Sequence, residues 1–178
     1  RSLRLIFGRE ACVIHQRALG IDPTPVHPLP ARPGIYEETA FGEDENDDGR
    51  LLAALYRLVE RCARRLRKRA VCPRKAGLLI RYADRMETRR ELRLQRVDAL
   101  EPDLCRPLEA LFFKMCTRRV RVRFMRVWFE DFVPESRQMS LFPRSAAAGE
   151  KSLLLVGAMD RVRDRYGEGA VCYGRAIG

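Results

Sequence analysis

Apolar residues recur along this chain at two different periods, and the switches between them mark out its elements. From Arg50 to Ala70, Leu51, Leu55, Val59, Cys62 and Leu66 return every three or four residues, the spacing of one helix face. Arg57, Arg61, Arg64, Arg65 and Arg67 to Arg69 cover the remainder, which predicts a strongly cationic outer face. Cys72-Pro73 reads as the stop of that helix. Leu78, Ile80 and Tyr82 then alternate on one face of a strand running to Ala83. Ala83-Asp84-Arg85 makes a turn, and Met86 to Leu94 runs back as a second strand. Pro102 and Pro107 bracket the start of another helix, carried by Leu108, Leu111, Phe112 and Met115. In the last strand, Val120 to Phe132, Val120, Val122 and Phe124 alternate with Arg119, Arg121 and Arg123. The alternation breaks at Met125-Arg126, which predicts a bulge near there or burial on both faces.

With Ile35 to Phe41 as a first strand, the order is strand, helix, strand, strand, helix, strand. That order suits an α+β layer: a four-stranded antiparallel sheet with two helices on one face. The other face is then open, and alternation places Arg89, Arg93, Arg121 and Arg123 on it, a cationic open sheet. Phe112, Phe113 and Phe124 read as core.

The flanks differ from this domain. Arg1 to Leu19 reads as one amphipathic helix or two short ones, with Gly8 and Gly20 as breaks. Residues 21–33 hold five prolines, the composition of a stiff extended linker and a domain boundary. Gly149 to Tyr166 reads as a helix capped by Gly167. The expected divisions are a helical segment over 1–20, a linker over 21–32, the sheet domain over 33–133, an exposed segment over 134–148 and a helical tail over 149–178.

Charge sharpens the picture. The net charge is +11, and residues 50–96 hold sixteen Lys/Arg against four acids. Arg118 to Arg126 adds five arginines and no acid. A concentrated cationic surface favours a polyanion through counterion release. The acidic run over 43–48 lacks the ligand spacing of a calcium loop and immediately precedes a helix, where carboxylates suit the dipole. The six cysteines form no Cys-x-x-Cys pair, so they point to no zinc site and to a reducing cytoplasm. No apolar run is long enough to span a bilayer. The chain opens on Arg1, which reads as a piece of a longer protein.

One pentapeptide stands apart: Gln138, Met139, Ser140, Leu141 and Phe142, set between Pro134-Glu135-Ser136-Arg137 and Pro143-Arg144-Ser145. A glutamine three residues before an exposed Leu-Phe pair gives a polar anchor and an apolar plug, the chemistry of a docking motif. It resembles the Gln-Leu-Ser-Leu-Phe consensus by which bacterial replication and repair proteins dock on the sliding clamp, with Met139 in place of leucine.

Further stretches point to one family. Gly20-Ile21-Asp22 with the proline run, Arg64-Arg65-Leu66-Arg67, Arg81-Tyr82-Ala83-Asp84, Thr88-Arg89 and Met159 to Gly167 resemble, in order, the C-terminal third of Y-family translesion DNA polymerases, of the bacterial DNA polymerase IV type. The resemblance implies that Arg1 to Leu19 ends the thumb, that the proline run is a tether, and that residues 33–132 are the little finger. It implies a sheet lying in the major groove of template–primer DNA, with Thr88, Arg89 and Arg90 as phosphate contacts; Arg93, Arg121 and Arg123 join the candidate DNA contacts through the strand alternation. The family usually has Lys-Ser-Ile-Gly ahead of its first strand. Here Arg32-Pro33-Gly34-Ile35 stands instead, and Pro33 removes a backbone donor. The family's catalytic carboxylates, and the Mg2+ they hold, lie in a palm domain N-terminal to these residues, so no catalytic residue and no cofactor is expected here.

Two other readings share parts of this pattern. A catalytically silent, polymerase-like mutagenesis accessory protein would keep the little finger and clamp peptide without palm carboxylates. An RNA-binding α+β module would share the element order but stack bases on sheet aromatics; here arginines are expected on the open face and aromatics in the core.

Overall fold

The computed structural model describes residues 7–22, 34–95, 98–135 and 143–177, in two compact units, Arg1–Arg32 and Pro33–Gly178. In the first, a 3-10 turn at Gly8–Glu10 leads into helix α1, Ala11–Ala18. Gly8 and Gly20 both take positive φ, +54° and +79°, as their sequence positions predict. The Ile21 amide donates to the Gln16 carbonyl at 2.9 Å and closes the helix end.

In the second unit, β1 spans Ile35–Glu45, α2 Asp48–Lys68, β2 Val71–Tyr82, β3 Glu87–Arg93, α3 Glu101–Met115 and β4 Val122–Pro134. Helix α4, Pro143–Tyr166, and a 3-10 turn at Gly174–Ala176 complete it. The four strands form one antiparallel sheet in the order β1-β4-β2-β3. The expected α+β architecture is therefore the one observed. Both helices pack on one face, where Leu55, Leu66, Leu78, Ile80, Phe112 and Phe129 are fully buried. Cys62 and Cys105 lie in this core, and burial pushes both thiols well above the ordinary range.

Several boundaries differ from the periodicity. Strand β1 runs four residues past Phe41 into the acidic stretch. Asp44 and Glu45 belong to the strand, and only Asp47 caps α2, accepting from the Arg50 amide at 2.8 Å. Pro73 does not stop α2; it sits inside β2 opposite Phe132. The helix ends instead at Lys68, capped by Arg69 and followed by Ala70, which takes φ +50° where glycine is the usual residue. Pro107 lies within α3, whose first turn carries Pro102, so only the latter marks the start. Helix α4 begins at Pro143, six residues before Gly149: proline suits a first helical position and alanine has the highest helix propensity.

The break expected near Met125 is real. Tyr82 pairs with Val122 and Arg81 with Phe124, so one extra residue, Arg123, is inserted in β4. The bulge reverses the phase of the strand. Val122, Met125, Val127 and Phe129 are buried on the helical side, while Phe124 turns to the other face. Phe124 is thus not a core residue, and Phe113 is 52% exposed on α3.

Candidate nucleic-acid interface

Register fixes which side chains share the open face. Tyr36 and Glu38 come from β1; Phe124, Arg126, Trp128 and Glu130 from β4; Lys75, Gly77, Leu79 and Arg81 from β2; Glu87, Arg89, Glu91 and Arg93 from β3. Five basic groups thus stand among four carboxylates. The sheet face expected to be cationic is instead mixed, because alternation on β1, β3 and β4 brings acids to the same side as arginines.

Three of the basic groups pair with three of the carboxylates. Arg81 donates to Glu87 at 2.6 Å, Arg89 to Glu91 at 2.7 Å and Arg126 to Glu38 at 2.7 Å. At the bulge, Arg123 makes two bonds to Asp44, at 2.9 and 3.0 Å, which hold the Asp44 carboxyl below the usual range.

Three of these arginines also lie over aromatic rings. Arg89 sits 4.6 Å from the Trp128 ring centroid, Arg81 5.0 Å from Phe124, and Arg126 5.4 Å from Tyr36 and 5.5 Å from Phe124. Trp128 itself lies across Gly77, its cross-strand neighbour. Sequence reasoning missed Arg81, Arg126 and Trp128. Their signal was present: Phe124, Arg126 and Trp128 alternate with Met125, Val127 and Phe129, but the bulge had to be placed first.

The expected DNA contacts separate into three groups. Arg89 and Arg93 share the open face, and Arg93 has no carboxylate partner among the described residues. Thr88 and Arg90 point the other way by register, opposite Ile80 and Leu78, so they lie on the helical side of the edge strand. Arg121 precedes β4 beside the bulge, with Arg123 tied to Asp44. Residues 138–142 lie outside the described residues.

The arginines of α2 meet a different fate. Arg64 pairs with Asp164 and with Glu168 at 2.9 Å, and Lys68 reaches Asp164 at 3.0 Å. Arg67 binds Asp160 at 2.7 Å and Glu101 at 2.8 Å. Arg163 of α4, only 4% exposed, faces Glu60 at 3.3 Å and Glu101 at 3.7 Å. The Tyr173 amide donates to Glu60, and Arg57 donates to the Ala176 carbonyl. Much of the cationic face predicted for α2 is therefore a docking surface for the tail, not an open one. Burial raises the Glu60 carboxyl above its ordinary range and pushes the Tyr173 hydroxyl up to about 12. A cavity of about 520 Å³ lies between α2, α3 and the tail, lined by Tyr56, Glu101, Cys105, Glu109 and Tyr173.

An antiparallel βαββαβ layer with one helical face and one open face rich in arginine defines the class: an α+β module built around a polar sheet. The impB/mucB/samB family C-terminal domain matches residues 32–141, and the chain belongs to that family. It is 30% identical to DNA polymerase IV of Halorhodospira halophila over 141 residues, covering 79% of this chain and 40% of that protein. With DNA polymerase IV of Dehalococcoides mccartyi it shares 30% identity over 174 residues, 97% of this chain and 44% of that protein. The chain thus spans less than half the length of these relatives. A solved complex of the beta-clamp processivity factor with the little finger domain of PolIV is similar at a TM-score of 0.47 and 21% identity, over 61% of this chain and 97% of that one. Among the described residues, no helix is long and apolar enough to cross a membrane.

Proposed function

We propose that residues 33–133 are the little finger of a Y-family translesion DNA polymerase and grip template–primer DNA without reading its sequence. Arg1 to Leu19 ends the thumb in this reading, the proline run is the tether, and Gln138 to Phe142 docks on the sliding clamp. Synthesis across damage, with its Mg2+, belongs to a palm domain that these residues do not include, and the protein works in the cytoplasm.

The observation that carries the reading is the open sheet face. Among the described residues of the second unit no helix packs on it, and it presents Lys75, Arg81, Arg89, Arg93 and Arg126 from three adjacent strands. Arginine is suited to phosphate because its planar fork can make two parallel bonds. Contacts of this type position a duplex and carry no sequence information. A clamp-docking peptide would raise the local concentration of this grip at the primer end, so modest DNA affinity suffices.

Titration of a fluorescently labelled primer–template duplex against the 178-residue chain tests this. Affinity should fall as salt rises, with a log–log slope of about −0.9 per phosphate contact. An affinity that stays flat between low and physiological salt would refute the phosphate grip. The aromatic rings on the face favour a second reading, single-strand binding by base stacking. Tyr36 is 53% exposed, but Trp128 is only 7% exposed, with the Arg89 guanidinium over its ring. Duplex should therefore compete better than a single strand of the same length.

A further inference from the structure

We propose that the open sheet face masks itself: Glu38, Glu87 and Glu91 occupy the arginines as phosphate substitutes, and DNA binds by displacing them. The proposal rests on the duplex-grip reading above and adds how that grip is set. Three features of the face support it. The carboxylates come from the two edge strands, β1 and β3, and each one reaches an arginine on the same face. The arginine partners are half-exposed, with side-chain exposures of 44% for Arg81, 49% for Arg89 and 42% for Arg126, so solvent and a ligand can reach them. Each guanidinium also lies over an aromatic ring, which holds its plane in place when the carboxylate leaves.

The chemistry of the exchange is symmetrical. A carboxylate and a phosphate both offer two oxygens to the fork of an arginine, so one can replace the other without moving the cation. Exposed ion pairs of this kind are individually weak, typically below about 1 kcal/mol, so displacement costs little per site. The cost is nevertheless paid at every masked arginine. It lowers affinity for any duplex, which suits a grip meant to act only where a second contact delivers it.

Glu130 supplies the control. It lies on the same face, opposite Lys75 in the register, but forms no salt bridge among the described residues, so no cation is held by it as Arg89 is held by Glu91. Glu91→Gln and Glu130→Gln remove the same charge from the same face. Masking predicts that Glu91→Gln tightens binding of a labelled primer–template several-fold, and that its salt slope steepens by about one further phosphate contact. Glu130→Gln should change affinity less than twofold and leave the slope alone. The gain of Glu91→Gln should vanish in the Arg89→Ala background. A triple variant, Glu38→Gln with Glu87→Gln and Glu91→Gln, should bind more than tenfold tighter than the unaltered chain.

Equal tightening by Glu91→Gln and Glu130→Gln would mean bulk charge alone, and would overturn masking. So would a gain that survives Arg89→Ala. Binding by the unaltered chain with no gain in the triple variant would overturn masking and leave the duplex grip standing. Silence from both chains would overturn the duplex grip and masking together. Silence from the unaltered chain with binding by the triple variant would support masking in its strongest form.

Discussion

Gly77 has no side chain because Trp128 occupies the space where one would go. A Cβ there would lie 2.1 Å from the indole ring, well inside any contact distance. The same indole carries Arg89 on its ring face, so one glycine governs the seating of an aromatic and, through it, of a cation. Gly77→Ala should destabilise the fold by about 1–3 kcal/mol, as overpacking does, and should weaken duplex binding beyond that loss. Chemical denaturation and a DNA titration on the same preparation check both parts. An alanine variant of unchanged stability would mean that the indole has room to move. The residue also shows why a sequence pattern can mislead: Gly77 breaks no alternation, and nothing local to it announces Trp128, fifty-one positions away.

At the scale of elements, α2 and α4 hold each other through charge more than through apolar area. Along α4, Val156 and Arg163 are buried while Leu154 and Leu155 are 68% and 57% exposed. Removing one partner of a buried ionic cluster leaves the others uncompensated, at a typical cost of about 3–5 kcal/mol. Arg163→Ala should therefore release the tail, seen as loss of amide-exchange protection in α4 with the sheet still protected. Arg163→Met should be milder, because it keeps volume, although Glu60 and Glu101 still lose a partner.

Acid should loosen the same contact. Arg64, and then Lys68, hold the Asp164 carboxyl below the usual carboxylate range, so the docked state binds its proton less readily than the detached one. The stability this provides is complete above the ordinary carboxylate pKa, about 4, and is lost as pH falls through the lowered value. Glu60 acts oppositely: burial raises its pKa, so its contribution declines as pH rises through the carboxylate range. Protection of α4 relative to β2 should drop below about pH 4. A ratio independent of pH would show that the Asp164 pair contributes nothing.

For the whole molecule, the sheet and the docking peptide are separable in this reading. Leu141→Ala with Phe142→Ala should abolish binding to the sliding clamp and leave duplex affinity within twofold. Clamp titration beside a DNA titration decides it, and unaltered clamp binding would sink the docking role. The masked sheet and the peptide then divide the work, a weak grip on DNA and a tether that supplies it where it is needed.

The sequence by itself determined the element order, the α+β class, the stripe of α2, a break in alternation near Met125 and the glycine that ends α4. These follow from local period and local backbone preference, which a single strand or helix carries in its own residues. Alternation along the strand also placed Arg89 and Arg93 on the open face, where the register puts them. Only the tertiary structure decided what those faces meet. The phase of β4 after Arg123, and with it the side taken by Phe124, Arg126 and Trp128, depends on a register set by β1 and β2. The pairing of Arg81, Arg89 and Arg126 with carboxylates depends on neighbouring side chains and strands meeting across the sheet. The neutralised face of α2 depends on a tail about a hundred residues further along. Charge along a chain is additive, but the field at a surface is set by which charges fold together, and that is a property of contacts, not of composition.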